Sequence, residues 1–326
     1  MASYTKNIMT TFRQVDIAEY ADEISSRLDR ASKHVLLETM SINNDGAEIE
    51  QIWQGVIKAV QRGVAVTLVY DRFSAFDALL YSGVSGLRRL SRLEQRLEKA
   101  GVMLHKVGRV RLNPFSGRHH AKAVVIDDDI YIGGGINLMQ QSFATHDYML
   151  HFNDSILAQQ LYTTLPKYAL DRTHTPEICI DSQTRLVFDP GDTRQSPIID
   201  NVFESLVDGR KVWYASKLMP DRALHKSMQV ISKKIYKFNR IKTASLFDKV
   251  ALLLDGVRYG TQTQYRGMRQ IHAKAIVTQK HNGESTVITG SHNFNSRGVR
   301  FGTQEVALIS TSKELVATVA RYIENL

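Results

Sequence analysis

The chain has 326 residues and a formal charge of +9, from 42 Lys and Arg against 33 Asp and Glu. Its 43% apolar and 23% charged residues are an ordinary globular composition, which excludes a disordered chain. No apolar run reaches the roughly 18 residues of a membrane span, and one cysteine excludes an internal disulfide framework.

That cysteine, Cys179, reads as a buried small hydrophobe rather than a nucleophile. The opening Met1-Ala2-Ser3-Tyr4-Thr5-Lys6 lacks the apolar stretch of a secretory signal. The expectation is a cytoplasmic protein, either soluble or peripheral to a membrane.

Taken in order, the first half alternates helix and strand patterns. Residues 16–32 place Ile17, Tyr20, Ala21, Ile24 and Leu28 at helical spacing. A strand follows over 34–42, then a helix over 48–62 carrying Ile49, Ile52, Trp53 and Val56 and ending at Gly63. Residues 64–70 read as a buried strand, 87–100 as an Arg-rich helix ended by Gly101, and 102–107 as another strand. Five of six prolines fall between Pro166 and Pro220, so 166–197 reads as a linker between halves at 1–165 and 198–326. Beyond it, 198–207 looks helical, 211–216 extended, 224–238 helical and 251–254 extended. The fold class is therefore α/β with mixed sheets flanked by helices.

Charge is uneven along this order. Residues 1–163 are balanced at 18 basic against 18 acidic, so the whole excess lies in 164–326. Arg210 to Lys242 holds ten basic residues against Asp221 alone, and Arg88 to Lys122 holds ten against Glu94 and Glu98. Such runs are usually solvated helix faces. Two of them with surplus charge point to an anionic partner: phosphate, nucleic acid or lipid headgroup.

An internal repeat carries the chemistry. His119-His120-Ala121-Lys122-Ala123-Val124-Val125-Ile126 recurs 152 residues later as Ile271-His272-Ala273-Lys274-Ala275-Ile276-Val277-Thr278. Each copy leads to a small-residue turn and an asparagine, Gly133-Gly134-Gly135-Ile136-Asn137 and Thr289-Gly290-Ser291-His292-Asn293. An acid follows each, Asp147 and Glu305. In a strand, His-x-Lys places both side chains on one face, and the returning hairpin brings the Gly turn and Asn beside them. The second hairpin turns at Asn282-Gly283, a strong hairpin signal.

These residues resemble the signature of the phospholipase D superfamily: His-x-Lys, four residues, Asp, six residues, Gly-Ser-x-Asn, present twice. The first copy matches at His120, Lys122, Asp127, Gly134 and Asn137, with Gly135 in place of Ser. The second matches at His272, Lys274, Gly290, Ser291 and Asn293, with Gln279 at the Asp position. Asp127 ends a strand and points away from the pair, so a structural part is expected for it. The Gly-Gly-x-Asn form is similar to cardiolipin synthases and related phosphatidyltransferases.

The resemblance implies two pseudo-twofold halves sharing one central cleft, and a monomer sufficient for one active site. One histidine, here His120 by its fuller motif, attacks phosphorus; the other protonates the leaving alcohol and then deprotonates water or a small alcohol acceptor. Lys122 and Lys274 supply charge, Asn137 and Asn293 donate amide hydrogen bonds, Gly134, Gly135, Gly290 and Ser291 bind substrate, and Asp147 and Glu305 orient the imidazoles. No cofactor or metal is implied. A zinc site from His119, His120, His146 and His151 lacks a ligand spacing, and Gly133–Gly135 is not a dinucleotide loop. His105, His225 and His281 read as surface or loop residues.

The leading partner is anionic phospholipid or a membrane surface, with the 210–242 stretch against it, assisted by Trp213, Tyr214, Tyr236 and Phe238. The rivals are a nuclease of the same superfamily and a catalytically silent membrane- or nucleic-acid-binding relative, the latter motivated by Gln279. Two copies in one chain favour lipid, since many of the superfamily's nucleases carry one copy and dimerise.

Overall fold

The computed structural model describes residues 9–109, 113, 115–173, 175–240 and 263–326. The strand expected at 251–254 lies outside them.

The first half builds on β1 (Arg13–Asp16), β2 (His34–Thr39), β3 (Ala65–Asp71), β4 (Met103–Val107), β5 (Ala123–Ile126), β6 (Asp129–Ile132) and β8 (Tyr148–Asn153). They form one sheet in the order β1-β8-β6-β5-β2-β3-β4. β2, β3 and β4 are parallel and the rest antiparallel. Every residue of β2 is buried, as expected of a strand covered on both faces. Helices α1 (Ile17–Arg30), α2 (Ala47–Gln61) and α3 (Phe73–Ala100) cross between strands, with α3 broken at Gly83. Helix α4 (Gln140–Phe143), the short strand β7 (Thr145–His146) and helix α5 (Ser155–Leu170) complete this half.

The second half repeats the plan. Its strands are β9 (Glu177–Cys179), β10 (Thr184–Asp189), β11 (Gly209–Ser216), β12 (Lys233–Phe238), β14 (Ala275–Lys280), β15 (Ser285–Gly290) and β16 (Glu305–Ser310), ordered β12-β11-β14-β15-β16-β10-β9. Six of them take the positions and directions of β3, β2, β5, β6, β8 and β1 in turn. Helices α6 (Pro197–Leu206), α7 (Arg222–Gln229) and α9 (Lys313–Asn325) sit where α1, α2 and α5 do, and α8 (Ser296–Arg300) where α4 does. The short strand β13 (Gln270–Ile271) pairs with β7 across the halves.

Several expectations change. The 166–197 stretch is not a bare linker: it carries the end of α5 and two strands of the second sheet. Residues 224–238 are not one helix but α7 followed by β12, the counterpart of α2 followed by β3. Trp213, Tyr214, Tyr236 and Phe238 are buried, because β11 and β12 lie between helical layers; they are core, not an interface. Cys179 is exposed, since β9 is an edge strand. His225 is buried on α7 and meets Gln229, while His105 lies half-buried on β4.

Helices α5 and α9 lie together between the two sheets. Leu161 and Leu165 of α5, Val319 and Ile323 of α9, and Leu36, Val125, Val277 and Val287 of the sheets belong to one hydrophobic cluster. Two further clusters fill the outer layers, one under α1, α2 and α3 and one under α6 and α7. The halves therefore share their central core. Among the described residues no helix is long and apolar enough to cross a membrane.

Candidate active site

Each His-x-Lys lies just before a strand rather than inside it, since β5 begins at Ala123 and β14 at Ala275. Its backbone is pinned by the other half. The His120 N–H donates to Gln304 O at 2.8 Å, and the His272 N–H donates to His146 O at 2.9 Å. In both cases the acceptor is the residue immediately before the acid.

The carboxylates are consequently exchanged between halves. His120 Nδ1 lies 2.9 Å from Glu305 Oε2 of the second half, and His272 Nδ1 lies 2.7 Å from Asp147 Oδ2 of the first. Both acids are buried. Burial pushes the Glu305 carboxyl up, but His120 at hydrogen-bonding distance and Lys122 nearby bring it down to about 2. Asp147 is likewise held below the usual carboxylate range by His272 and Lys274 against the effect of burial. An ionised carboxylate can only accept, so each Nδ1 carries the proton and each Nε2 keeps a lone pair. Burial lowers His120 to about 4 and His272 to about 3, so both rings are neutral near pH 7.

The lysines lie behind the imidazoles. Lys122 and Lys274 are buried, and each ammonium donates to the carbonyl of its own histidine, His120 O at 2.7 Å and His272 O. Burial lowers the Lys122 pKa well below its usual value. Asn137 Oδ1 accepts from Thr39 Oγ1 at 3.2 Å, while Asn293 Oδ1 is buried with no hydrogen-bond partner.

The small residues are structural. Gly134, Gly135, Gly290 and Ser291, expected to bind substrate, are absent from the cavity wall. A Cβ on Gly134 would lie 1.7 Å from Tyr148 O, and one on Gly290 2.3 Å from Val306 O, because both turns press against a neighbouring strand. The Gly135 N–H donates to Asp147 Oδ1 at 3.2 Å. Ser291 is fully buried and its hydroxyl donates to Glu305 Oε2. Asp127 accepts from the backbone N–H groups of Ser32, Lys33 and His34, which fastens the entry to β2. Gln279 instead accepts from Arg210 at the surface.

Both imidazoles open onto one cavity of about 830 Å³ between the halves, with Asn137, Asn293 and Glu305 also on its wall. Much of the rest is apolar: Met40, Phe73, Phe76, Phe115, Met139 and Phe301. Phe73, Phe76 and Phe115 pack ring to ring, with centroids 5.0 to 5.8 Å apart. Among the polar wall residues that sequence reasoning missed are Asp77, Arg118, Lys217 and His292. Arg118 Nη1 is paired with Asp71 at 2.8 Å, and burial raises Asp77 to about 6 while Ser41 donates to it. Arg118 directly precedes the first motif and His292 lies inside the second; only that adjacency could have singled them out. The four histidines of the zinc alternative go separate ways: His119 to Glu38, His120 to Glu305, His151 to Asp129, and His146 against Tyr265.

A duplicated α/β plan thus brings two His-x-Lys elements to one cavity, a two-histidine site shared by two like halves. The family model described as "Cardiolipin synthase, PLD-like domain" matches residues 24–167 and 221–326. The chain belongs to that family, and with it to the phospholipase D superfamily of phosphodiesterases and phosphatidyltransferases. The solved phosphatidylserine synthase of Haemophilus influenzae Rd KW20 superposes with a TM-score of 0.73 at 13% identity, over 95% of this chain and 85% of that one. Polyphosphate kinase from Porphyromonas gingivalis gives 0.59 at 12% identity, over 96% of this chain and 50% of that one. Nuc from Salmonella typhimurium, a phospholipase D family member, gives 0.38 at 16% identity and spans 49% of this chain and 94% of that one. No curated protein sequence matches the chain.

Proposed function

We propose that the chain is a phosphatidyltransferase or phospholipase that acts on anionic phospholipid through a phosphohistidine. The observation that carries this reading is the cavity: two carboxylate-backed imidazoles open into a space walled by Met and Phe side chains. Apolar walls suit acyl-glycerol, and the seven Phe and Met side chains on this wall outnumber its basic Arg118, Lys217 and Arg269.

In the first step the His120 Nε2 lone pair forms a bond to phosphorus. The bond from phosphorus to the leaving alcohol breaks, and that oxygen takes a proton from the protonated His272 Nε2. In the second step water or an alcohol gives its proton back to His272 and attacks phosphorus, releasing His120. Glu305 and Asp147 stabilise the rings while they carry positive charge. Lys122 and Lys274 add positive potential behind the phosphate, and Asn137 and Asn293 offer amide groups at its edge.

The test is a parallel assay on phosphatidylglycerol vesicles, with and without glycerol, and on single- and double-stranded DNA, followed by mapping of any trapped phosphohistidine. Lipid turnover with label on His120, lost in His120→Ala and His272→Ala, is expected. Cleavage of DNA alone would end the lipid reading, and label on neither histidine would end the mechanism.

A further inference from the structure

Large apolar side chains exposed singly are normal, but a contiguous group marks an interaction site. Here they gather at the mouth of the cavity. Leu80, Tyr81, Phe115 and Met268 are exposed and line it, and Leu79 and Val84 continue the patch along α3. Met268 is 79% exposed and Val84 60%. They come from both halves and from segments far apart in sequence.

The patch has a structural cause. Gly83 breaks α3 with φ 60° and ψ −153°, a conformation nearly restricted to glycine. The helix turns there, and Leu79 to Val84 stand at the corner instead of packing inward. Exposed cations adjoin the patch in sequence: Arg88 lies one turn beyond Val84, and Arg266 and Arg269 stand on either side of Met268, with Arg269 also on the cavity wall. Across 72–93 and 263–270 Asp77 is the only acid, and it lies on the cavity wall.

We propose that this rim is the surface by which the protein docks on an anionic lipid bilayer. The apolar corner enters the acyl boundary, these arginines meet the headgroups, and the cavity mouth faces the leaflet. This rests on the phospholipid reading of the site and replaces the 210–242 stretch as the membrane-facing element. A phosphodiester can then move from leaflet to imidazoles while its acyl chains stay among Phe and Met side chains.

The test uses the full chain and vesicles of phosphatidylglycerol and phosphatidylcholine with brominated acyl chains. Both native tryptophans, Trp53 and Trp213, are buried, so an introduced one reports alone. Val84→Trp should be quenched by the bromolipid, and Val230→Trp, 85% exposed after α7, should not. The Leu79→Asp/Val84→Asp variant, checked for native circular dichroism, should lose vesicle affinity at least tenfold. Its turnover of a monomeric short-chain phosphatidylglycerol should stay within twofold, because neither residue is on the cavity wall. Equal quenching at both sites, undiminished binding by the double variant, no vesicle binding at all, or a dimer of this chain that covers the rim would each overturn the docking surface. Docking without turnover of any lipid would sink the catalytic reading and leave the rim standing. Turnover of short-chain lipid without docking would do the reverse.

Discussion

Glu305 and Asp147 hold their histidines by different means. Glu305 receives His120 and the Ser291 hydroxyl, whereas Asp147 receives His272 and the amides of Gly135 and Tyr148. The Gly135/Ser291 difference between the motifs has this physical basis: a Cβ on Gly135 would lie 2.7 Å from Asp147 Oδ2. Glu305→Gln keeps the shape but removes the charge that supports His120 as an imidazolium. A fall in kcat of about 10²- to 10⁴-fold is expected, with KM changed far less, as steady-state kinetics would show. The pH dependence follows from the rings. Reaction needs one proton on the pair, and burial puts the free pair at about 4 and 3. Thus kcat/KM should fall as pH rises above about 4. Bound phosphate, being negative, raises both rings, so kcat should hold to a higher pH before falling. Coincident basic limbs in the two profiles would contradict this account.

At the scale of elements, Asp127 ends β5 with φ +51° and gathers the amides that open β2. Asp127→Ala should cost about 1–3 kcal/mol of stability through the lost hydrogen bonds to the carboxylate, read as a lower Tm, and leave kcat unchanged. Gln279, at the matching place of the second copy, makes no such clasp and accepts from Arg210 instead. Helices α1 and α2 and the 87–100 part of α3 were legible because their apolar stripes run for three turns or more, whereas residues 73–86 of α3, before and around the break at Gly83, and helix α5 were not read. Helix α7 has only eight residues and passes quickly into β12, where Tyr236 and Phe238 alternate with lysines; a helical reading absorbed both. The His, Lys and Asn groups were legible because they recur as a set. The exchange of acids was not, since it depends on how β7 docks on β13, and two-residue strands leave no periodicity. Phe73, Phe76 and Lys217 were equally silent, because a cavity wall assembled from separate segments has no local pattern.

Across the whole molecule, α5 and α9 bind the sheets into one core, so the halves should not melt separately. Leu161, fully buried in that cluster, is a direct probe. Leu161→Ala should cost about 2–5 kcal/mol and shift a single calorimetric transition downward. A split into two transitions would show that the halves are independent folding units.

The exchanged carboxylates also work as an interlock on assembly. Within the first half alone, His120 lacks Glu305 and Asp147 lacks His272. Neither imidazole is then armed, and the cavity lacks a wall. Because the halves share one core, each imidazole gains its carboxylate only when both are in place, and a finished pair of histidines comes only with the whole fold.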